Sequence, residues 1–379
     1  MEKYIYLDNN ATTKVDQNVI KKMIPYFTDI YANASSRHEF GFEAKKGVKK
    51  ARQQVADLIN CEADEIIFTS GSTESINLAI KGLQNKEKNH IVTVKTEHSA
   101  VLDTCKYLEK NGCEITYLFV NREGLIDLNE LKNSIKNNTS LVSVMFANNE
   151  TGVIQPIKEI AEIVHEKEAL FMTDATQVVG KIPIDVNKLG IDLMTISAHK
   201  FYGPKGIGAL YVRSRRPRKV KLEPIIHGGG HERSFRSGTS NVSGIVGLGV
   251  ACEIASKNIK KDSLIIKDLR DYLENELLKI EDTFINGHKE KRLYNTSNIC
   301  FKGFNSEAII MGLKNIIVSN GSACTSTSIY PSHVLMAMGL SEKEAFSSIR
   351  FSLGKFNTKN EIEFTIEKIK DIILNLRVL

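Results

Sequence analysis

Several residues suited to acid–base or covalent chemistry stand directly after apolar runs of the chain. Asp174 ends one run, and Lys200 follows the next, after Ser197-Ala198-His199. A carboxylate in such a place is costly unless it meets a cation. Gly71-Ser72-Thr73-Glu74 follows an earlier run, and its glycine, hydroxyls and free N–H groups suit a phosphate at a helix N-terminus. Taken alone, an ordinary helix cap is the more frequent explanation of that segment.

Two other apolar runs are followed by polar residues that could meet the same ligand. His98, in Thr96-Glu97-His98-Ser99, could act as an acid–base group or stack on an aromatic ring. Asn149, in Asn148-Asn149-Glu150-Thr151-Gly152, offers an amide for hydrogen bonding. A structural histidine and an Asn-rich turn are the alternatives for these two segments.

Seven apolar runs precede these residues and predict the strands of one sheet. Their β-branched, two-sided apolar character indicates strands buried on both faces. Helical patterns at 72–84, 99–111 and 156–167 lie between them, and this alternation predicts a mostly parallel sheet with right-handed crossovers. The runs cover residues 65–70, 90–94, 114–120, 140–147, 170–175, 193–198 and 206–213.

The length of the chain predicts two domains, because 379 residues exceed what one hydrophobic core usually serves. Residues 13–256 are expected to form a large α/β domain flanked by helices. Residues 1–12 and 257–379 are expected to form a smaller α+β domain. Helices are predicted at about 243–256, 262–281 and 361–376, the last with its apolar residues on one face.

Composition argues against several classes of protein. Hydrophobic residues make up 42% and charged residues 25%, and a net charge of +6 does not demand a nucleic-acid partner. No uninterrupted apolar run approaches the ~20 residues that span a bilayer, and the N-terminus lacks a secretory h-region. Six cysteines without C-x-x-C or metal-finger spacing favour a reducing compartment. We therefore expect a cytoplasmic protein without a membrane partner.

In combination, these residues predict a pyridoxal 5′-phosphate site. The carboxyl ends of parallel strands share one edge of a sheet, which would bring the acid, the lysine and the helix N-terminus together. The cofactor's phosphate needs the helix N-terminus, its pyridine nitrogen needs the carboxylate, and its aldehyde needs the lysine. Lys200 is preferred to Lys205 as that lysine, because the turn Gly203-Pro204-Lys205-Gly206 favours a structural role.

Cys324 differs from the other cysteines in its surroundings. It lies in SNGSACTSTS, a small, polar segment that cannot bury much and predicts a loop. A loop that merely contains a cysteine is the alternative. The other five, for which a buried, unreactive thiol is expected, are Cys61, Cys105, Cys113, Cys252 and Cys300.

Six ordered segments resemble the NifS- and IscS-type cysteine desulfurases of the class-V aminotransferase family. They are SAHKFYGPKGIGALYV, DATQVVGKIPIDV, TEHSAVLDT, NNETGVIQPI, HGGGHERSFRSGT and SNGSACTSTS. The match runs from YLDNNATT near the start to SSIRFSLGKF near residue 356. The resemblance implies the fold-type-I architecture of pyridoxal-phosphate enzymes, with a seven-stranded, mostly parallel sheet, and the conversion of L-cysteine to L-alanine with transfer of its sulfur.

The resemblance also implies roles for individual residues. Lys200 would bind the cofactor covalently, Cys324 would accept the sulfur as a persulfide, and His98 would stack on the ring and assist proton transfer. Asn149 and Arg350 would hold the substrate, Arg350 by a bidentate grip on its carboxylate, and Asn149 would also contact the cofactor. The remaining cofactor contacts would be Asp174 at the ring nitrogen, Gln177 at the phenolic oxygen, Ser72, Thr73, Ser197 and His199 at the phosphate, and Thr239 at the phosphate of the other subunit's cofactor.

Partners follow from the same resemblance. Thr239 implies a homodimer, and the segment around Cys324 resembles the long-loop type, whose members pass sulfur to an iron–sulfur scaffold and toward tRNA thiolation. Cys324 would then ligate iron transiently while a cluster forms. The chain ends at Leu379 without an extended tail, which favours a NifS-like or specialised member with another sulfur acceptor.

Three alternatives remain at this stage. The same scaffold could support selenocysteine cleavage or transamination. The basic stretch SRRPRKVK at 214–221 could bind RNA in a non-catalytic carrier, although it lacks interleaved aromatic residues, and we expect no direct nucleic-acid binding. His227 and His231 could share a metal, but three glycines between them disfavour a helix, and we expect no resident metal.

Overall fold

The computed structural model describes residues 4–83, 88–320 and 330–378. These residues form an α/β fold with sheets of seven, three and two strands. The strands are β1 Ile5–Tyr6, β2 Ile66–Thr69, β3 His90–Val94, β4 Glu114–Leu118, β5 Thr139–Ser143, β6 Leu170–Asp174, β7 Leu193–Ser197, β8 Gly208–Val212, β9 Thr283–Ile285, β10 Thr296–Phe301, β11 Ile316–Ile317 and β12 Ser348–Ser352. The helices are α1 Gln17–Met23, α2 Pro25–Thr28, α3 Glu39–Ile59, α4 Ser72–Gly82, α5 Ser99–Lys110, α6 Leu128–Ser134, α7 Ile157–Glu166, α8 Val242–Leu277, α9 Ser306–Leu313, α10 His333–Ala337, α11 Glu342–Phe346 and α12 Lys359–Val378.

The seven-stranded sheet has the order β2-β8-β7-β6-β5-β3-β4. Strand β8 pairs antiparallel with both of its neighbours, and the other pairings are parallel. The predicted seven-stranded, mostly parallel sheet is therefore confirmed, and each of the seven apolar runs overlaps one strand. Because six strands run in the same direction, their carboxyl ends share one edge of the sheet.

Helices cover both faces of this sheet. Side chains of α3, α7 and the first half of α8 pack on one face. Side chains of α4 and α5 pack on the other. Successive residues of a strand point to opposite faces, so Ile66 and Phe68 join the first cluster while Ile67 joins the second. This alternation explains why the strands are apolar at nearly every position.

A separate hydrophobic cluster lies in the C-terminal third of the chain. It joins the three-stranded sheet β12-β10-β9 to α9, α12 and the second half of α8, together with Ile5 and Leu7. Strand β1 pairs in parallel with β11. The N-terminal residues thus pack with the C-terminal ones, and the domain boundary at residue 256 stays a prediction.

Helix α8 corrects one expectation. Two helices were predicted at 243–256 and 262–281, but one helix runs through Val242–Leu277. The stretch between them is rich in lysine and contains no glycine or proline, so the helix continues while its buried face passes from one cluster to the other.

The same helix is the one in the described part of the chain that is long and apolar enough to cross a membrane by length and composition. Its apolar first half packs against α3, and at Gly249 a Cβ atom would stand 2.5 Å from the Cα of Ala51. Glycine therefore permits the close approach of the two helices. A helix that packs between the hydrophobic clusters of a folded chain can have the same length and apolar composition. The composition of α8 is therefore explained by its packing contacts.

Candidate active site

A cavity of about 500 Å³ lies at the carboxyl edge of the seven-stranded sheet. Its walls come from the segments that follow β2, β3, β5, β6 and β7, and from Ala11 and Thr12. The volume is typical of a small-molecule site. Nine of the predicted residues line it: Ser72, Thr73, His98, Asn149, Asp174, Gln177, Ser197, His199 and Lys200.

Three predicted residues are placed differently. Arg350, on β12, is outside the lining, but its Nη1 donates to the carbonyl oxygen of Asn149 at 3.1 Å. Thr239 is exposed and does not line this cavity. Cys324 lies outside the described residues.

Lys200 stands at the end of a short 3₁₀ turn that directly follows β7. Its amine donates to the carbonyl oxygens of Asn10 at 2.6 Å and Ala11 at 2.8 Å. These two carbonyls were missed, because a backbone contact leaves no mark on residue type. Lys205 also lines the cavity, so both lysines weighed from the sequence are present there.

Asp174 ends β6 and is only 6% exposed. Its Oδ1 accepts hydrogen bonds from the backbone N–H of Thr176 at 3.0 Å, from the Thr176 hydroxyl, and from the Thr195 hydroxyl at 2.7 Å. Among the described residues all of these bonds use Oδ1. The second oxygen, Oδ2, is therefore the one left to receive a proton donor from a ligand.

The start of α4 supplies the anion site. Gly71, with φ of +154°, turns the chain into the helix, and a Cβ there would stand 3.6 Å from the Ser197 hydroxyl. The Ser72 hydroxyl lies 2.5 Å from that of Thr176. Unpaired N–H groups and the helix dipole attract negative charge at such a terminus. Glu74 lies in the first turn of α4, and its negative charge is compensated by Arg236, which binds its carboxylate at 2.9 Å. This ion pair reduces the repulsion between Glu74 and an anion at the helix N-terminus.

Two histidines line the cavity and make different hydrogen bonds. The Nδ1 of His98 accepts the N–H of Ala100 at 3.1 Å and caps α5, so the proton of the neutral ring sits on Nε2. The Nδ1 of His199 pairs with the Thr12 hydroxyl at 3.1 Å. Burial, with the charge of Lys200 adding to it, lowers the pKa of His199 to about 4. This imidazole is therefore neutral at neutral pH.

Two buried glutamates next to the predicted residues were also missed. Burial, reinforced by the charge of Asp174, raises the pKa of Glu97 well above its usual value. Burial likewise raises the pKa of Glu150, whose Oε2 accepts the Ser332 hydroxyl at 2.5 Å. Nothing in the sequence separates a buried glutamate from an exposed one beside a strand end, so no signal distinguished them.

The residues present fit pyridoxal phosphate. The hydroxyl residues at the N-terminus of α4, Asp174 with one unused carboxylate oxygen, and Lys200 with its amine all line the cavity. These are an anion site, a partner for a pyridinium N–H and a nucleophilic amine. The arrangement can hold a phosphorylated aromatic aldehyde and exchange protons beside it.

The alternative sites have other contacts. Within the described parts of the chain, no group of three or more His, Cys, Asp or Glu side chains could hold a metal. The Nδ1 of His231 accepts the N–H of Gly238 at 3.3 Å. In the basic stretch, Arg215 binds Glu65 at 2.8 Å.

Comparison with known proteins gives one family. The model of the aminotransferase class-V family matches residues 5–364. "Cysteine desulfurase IscS" of Pasteurella multocida (strain Pm70) is 53% identical, over 99% of this chain and 94% of the relative. A solved "NIFS-LIKE PROTEIN" superposes with a TM-score of 0.91 at 40% identity, covering 98% of this chain and 99% of the other. "SspA in complex with cysteine" gives a TM-score of 0.82 at 39% identity, covering 93% and 100%.

Proposed function

Because the chain belongs to the aminotransferase class-V family and is a pyridoxal-phosphate-dependent cysteine desulfurase, we propose that Cys324 is the thiol that receives the sulfur. We further propose that Lys200 holds the cofactor and moves the proton. The substrate is L-cysteine, and the reaction transfers its sulfur.

The proposed roles follow from the contacts in the cavity. The bound cofactor supplies an electron sink that makes the α-proton of cysteine acidic. The Lys200 amine takes and returns that proton, since Lys200 lines the cavity and its amine is held by the Asn10 and Ala11 carbonyls. Asp174 would accept the N–H of the cofactor ring through Oδ2, and the Nε2–H of His98 would be available for proton transfer.

Arg350 is proposed to bind the substrate carboxylate. It is 2% exposed, and its Nε is a buried donor without a hydrogen-bond partner among the described residues. A buried donor left unpaired is costly, so a carboxylate at this position would be strongly favoured. Its Nη2 binds Asp8 at 2.6 Å, which orients the guanidinium.

The chemistry of sulfur transfer favours Cys324 over the other cysteines. The attacking group must be a thiolate. Burial raises the pKa of each of the other thiols, to about 12 for Cys105 and about 11 for Cys300. None of these five is a competent nucleophile at neutral pH.

One observation supports the assignment: both described flanks of the segment around Cys324 contact residues that adjoin Asn149, which lines the cavity. On one side, the Arg350 N–H donates to the Ser319 carbonyl at 2.6 Å. On the other, the Ser332 hydroxyl donates to Glu150 at 2.5 Å, one residue from Asn149. Cys324 follows Ser319 by five residues in the sequence, and five residues of fully extended chain span at most about 18 Å.

In the transfer step, the Sγ of Cys324 would attack the sulfur of the substrate. A sulfur–sulfur bond forms as the carbon–sulfur bond breaks. The electron pair stays with the carbon fragment, which gains protons and leaves as L-alanine. The products are alanine and a persulfide, so atoms and electrons balance without another oxidant.

The test is Cys324→Ala, with Cys61→Ala as the matched control because Cys61 is the one described cysteine that is not fully buried. We expect alanine formation from cysteine to fall to background in Cys324→Ala, while cysteine still changes the absorbance of the bound cofactor. Cys61→Ala should keep both properties. Alanine formation from cysteine that survives in Cys324→Ala would refute the persulfide assignment.

We also propose a homodimer, in which Thr239 reaches the cofactor phosphate of the partner subunit. Its exposure and its absence from the lining of its own cavity support this arrangement. Mixed dimers of Lys200→Ala and Thr239→Val chains should be more active than either variant alone, because one of their two sites then combines a native Lys200 with a native Thr239 from the other chain, whereas independent sites would give no such gain. The proposal that the persulfide passes to an iron–sulfur scaffold protein in the cytoplasm rests on family resemblance, and transfer of labelled sulfur to a purified scaffold tests it.

A further inference from the structure

Lys181 is a buried lysine to which the proposed reaction assigns no role. It lies in the segment after β6 and is 7% exposed. Its Nζ donates to the Oε1 of Gln177 at 2.9 Å. Burial lowers the pKa of Lys181 to about 7, and the positive charges of Lys200 and Arg350 add to this effect. A lysine in such surroundings is costly, so its contact with a residue of the cofactor cavity calls for an explanation.

The contact fixes the orientation of the Gln177 amide. An amide side chain can usually be turned over, exchanging its oxygen and nitrogen. Here a lysine amine donates to one end, and a backbone carbonyl, which only accepts, holds the other. The Nε2 of Gln177 donates to the Asn10 oxygen at 2.9 Å, and the Lys200 amine donates to the same oxygen at 2.6 Å. Gln177 therefore turns a donor, not an acceptor, toward Lys200.

We propose that Lys181 is a positioning residue that holds Gln177 with its N–H donor toward the phenolic oxygen of the cofactor, and so tunes the proton affinity of the linkage at Lys200. This inference rests on the proposed place of Gln177. Without the lysine, the buried Oε1 would lose its donor, and the amide could turn its oxygen toward an anionic oxygen. The hydrogen bond from Gln177 to the phenolic oxygen would then be replaced by repulsion between two oxygens. That phenolic oxygen would share a proton with the nitrogen of Lys200.

Lys181 also borders a second cavity. It lines this cavity of about 550 Å³ together with residues that include Arg270, Arg292 and Tyr294. Lys181 therefore borders a cavity whose lining is distinct from that of the cavity beside Lys200. A small amine from solution could occupy this space if the lysine side chain were shortened, which gives the inference a chemical-rescue test.

The primary experiment uses the holoenzyme without substrate and measures its absorbance against pH. Lys181→Met keeps the apolar stem of the side chain and removes the donor. In this variant we expect the pH midpoint of the absorbance change to rise by about one pH unit relative to the native enzyme. The rise follows because the phenolic oxygen, without a donor, holds the shared proton more strongly. Gln177→Ala should give a similar rise, and the double variant should add little to it. Lys188→Met, an exposed lysine of the same segment, is the control and should match the native midpoint.

The outcomes separate two failures. An unchanged midpoint in Gln177→Ala would overturn the place of Gln177 and this inference with it. A shift in Gln177→Ala with none in Lys181→Met, or additive shifts in the double variant, would overturn the inference alone. If Lys181→Met fails to fold, Lys181→Ala with and without added ethylamine replaces it. Return of the midpoint toward the native value on adding the amine supports the proposal, and a midpoint unaffected by the amine refutes it.

Discussion

Polar side chains lie at both ends of the seven-stranded sheet, and the two groups differ in what completes them. At the amino end, both ring nitrogens of His90 meet hydroxyls, those of Thr139 at 2.7 Å and Thr116 at 2.9 Å. Asp192, fully buried just before β7, is bound by His165 at 2.8 Å and Arg213 at 3.2 Å. The protein itself supplies the partners that burial makes necessary.

At the carboxyl end the partners are incomplete. Asp174 is bonded through one oxygen among the described residues, and Arg350, which reaches this end from β12 by binding the Asn149 carbonyl, retains an Nε without a partner among them. A cavity of about 500 Å³ lies beside them. The same residue types therefore serve stability at one end, while at the other they keep hydrogen-bonding capacity for a ligand. Substitutions at the two ends should affect different properties of the enzyme.

The largest expected effect is at the carboxyl end, in Lys200→Ala. Cysteine turnover should fall by at least about 10³-fold, since both the covalent attachment and the proton transfer are lost. The free energy of unfolding should change by no more than about 1 kcal/mol, because the lysine is only partly buried. Turnover and denaturant midpoints measure the two properties. The control is Lys205→Ala, in which borohydride should still trap the cofactor covalently on the protein. Trapping of the cofactor in Lys200→Ala instead would show that Lys205 is the attachment site.

The next effect is at the amino end, in Asp192→Ala. Removing this carboxylate leaves Arg213, which is 6% exposed, buried without its ion pair. The expected loss is about 3–5 kcal/mol in the free energy of unfolding. Turnover per bound cofactor should stay near the native value, because Asp192 does not line the cofactor cavity. Denaturant unfolding and active-site titration check the two statements.

Glu43→Ala, which removes an exposed partner of Lys46, is the control for that loss. It should change stability by about 0.5 kcal/mol or less. A large fall in turnover per bound cofactor in Asp192→Ala would show that the two ends are not separable in function.

The sequence predicted the carboxyl end of the sheet better than it predicted the rest of the site. Seven β-branched runs marked the strands, and parallel pairing then placed Asp174 and Lys200 at one edge. The position of β8 between β2 and β7 was not predictable, because apolar strands of similar composition do not specify their neighbours.

The contacts that were missed involve groups that residue type does not reveal. The Asn10 and Ala11 carbonyls hold Lys200 through the backbone, and Asn10 is nearly 200 residues away from it in sequence. Lys181 looked like an ordinary lysine until its burial was seen. Helix α8 was divided in two because its apolar pattern shifts where the helix leaves one core for the other. The role of Cys324 stays a prediction.

The smallest effect concerns pH and compares a histidine from each end. Burial lowers the pKa of His90, and the pKa of His199 is also lowered, to about 4. In the unfolded chain both would protonate below about pH 6.5, so the unfolded state binds more protons and stability falls as the pH falls through that range. The difference in unfolding free energy between the native enzyme and His90→Asn should therefore narrow as pH drops from about 7.5 to 5.

The cofactor should affect the two variants differently. For His90→Asn, the pH-dependent narrowing should be equal with and without cofactor. For His199→Asn it should depend on the cofactor, because the proposed phosphate contact is at the carboxyl end of the sheet alone. Denaturant titrations of the apo and holo forms at several pH values measure these free-energy differences for both variants. A difference for His90→Asn that depends on the cofactor would contradict the separation of the two ends.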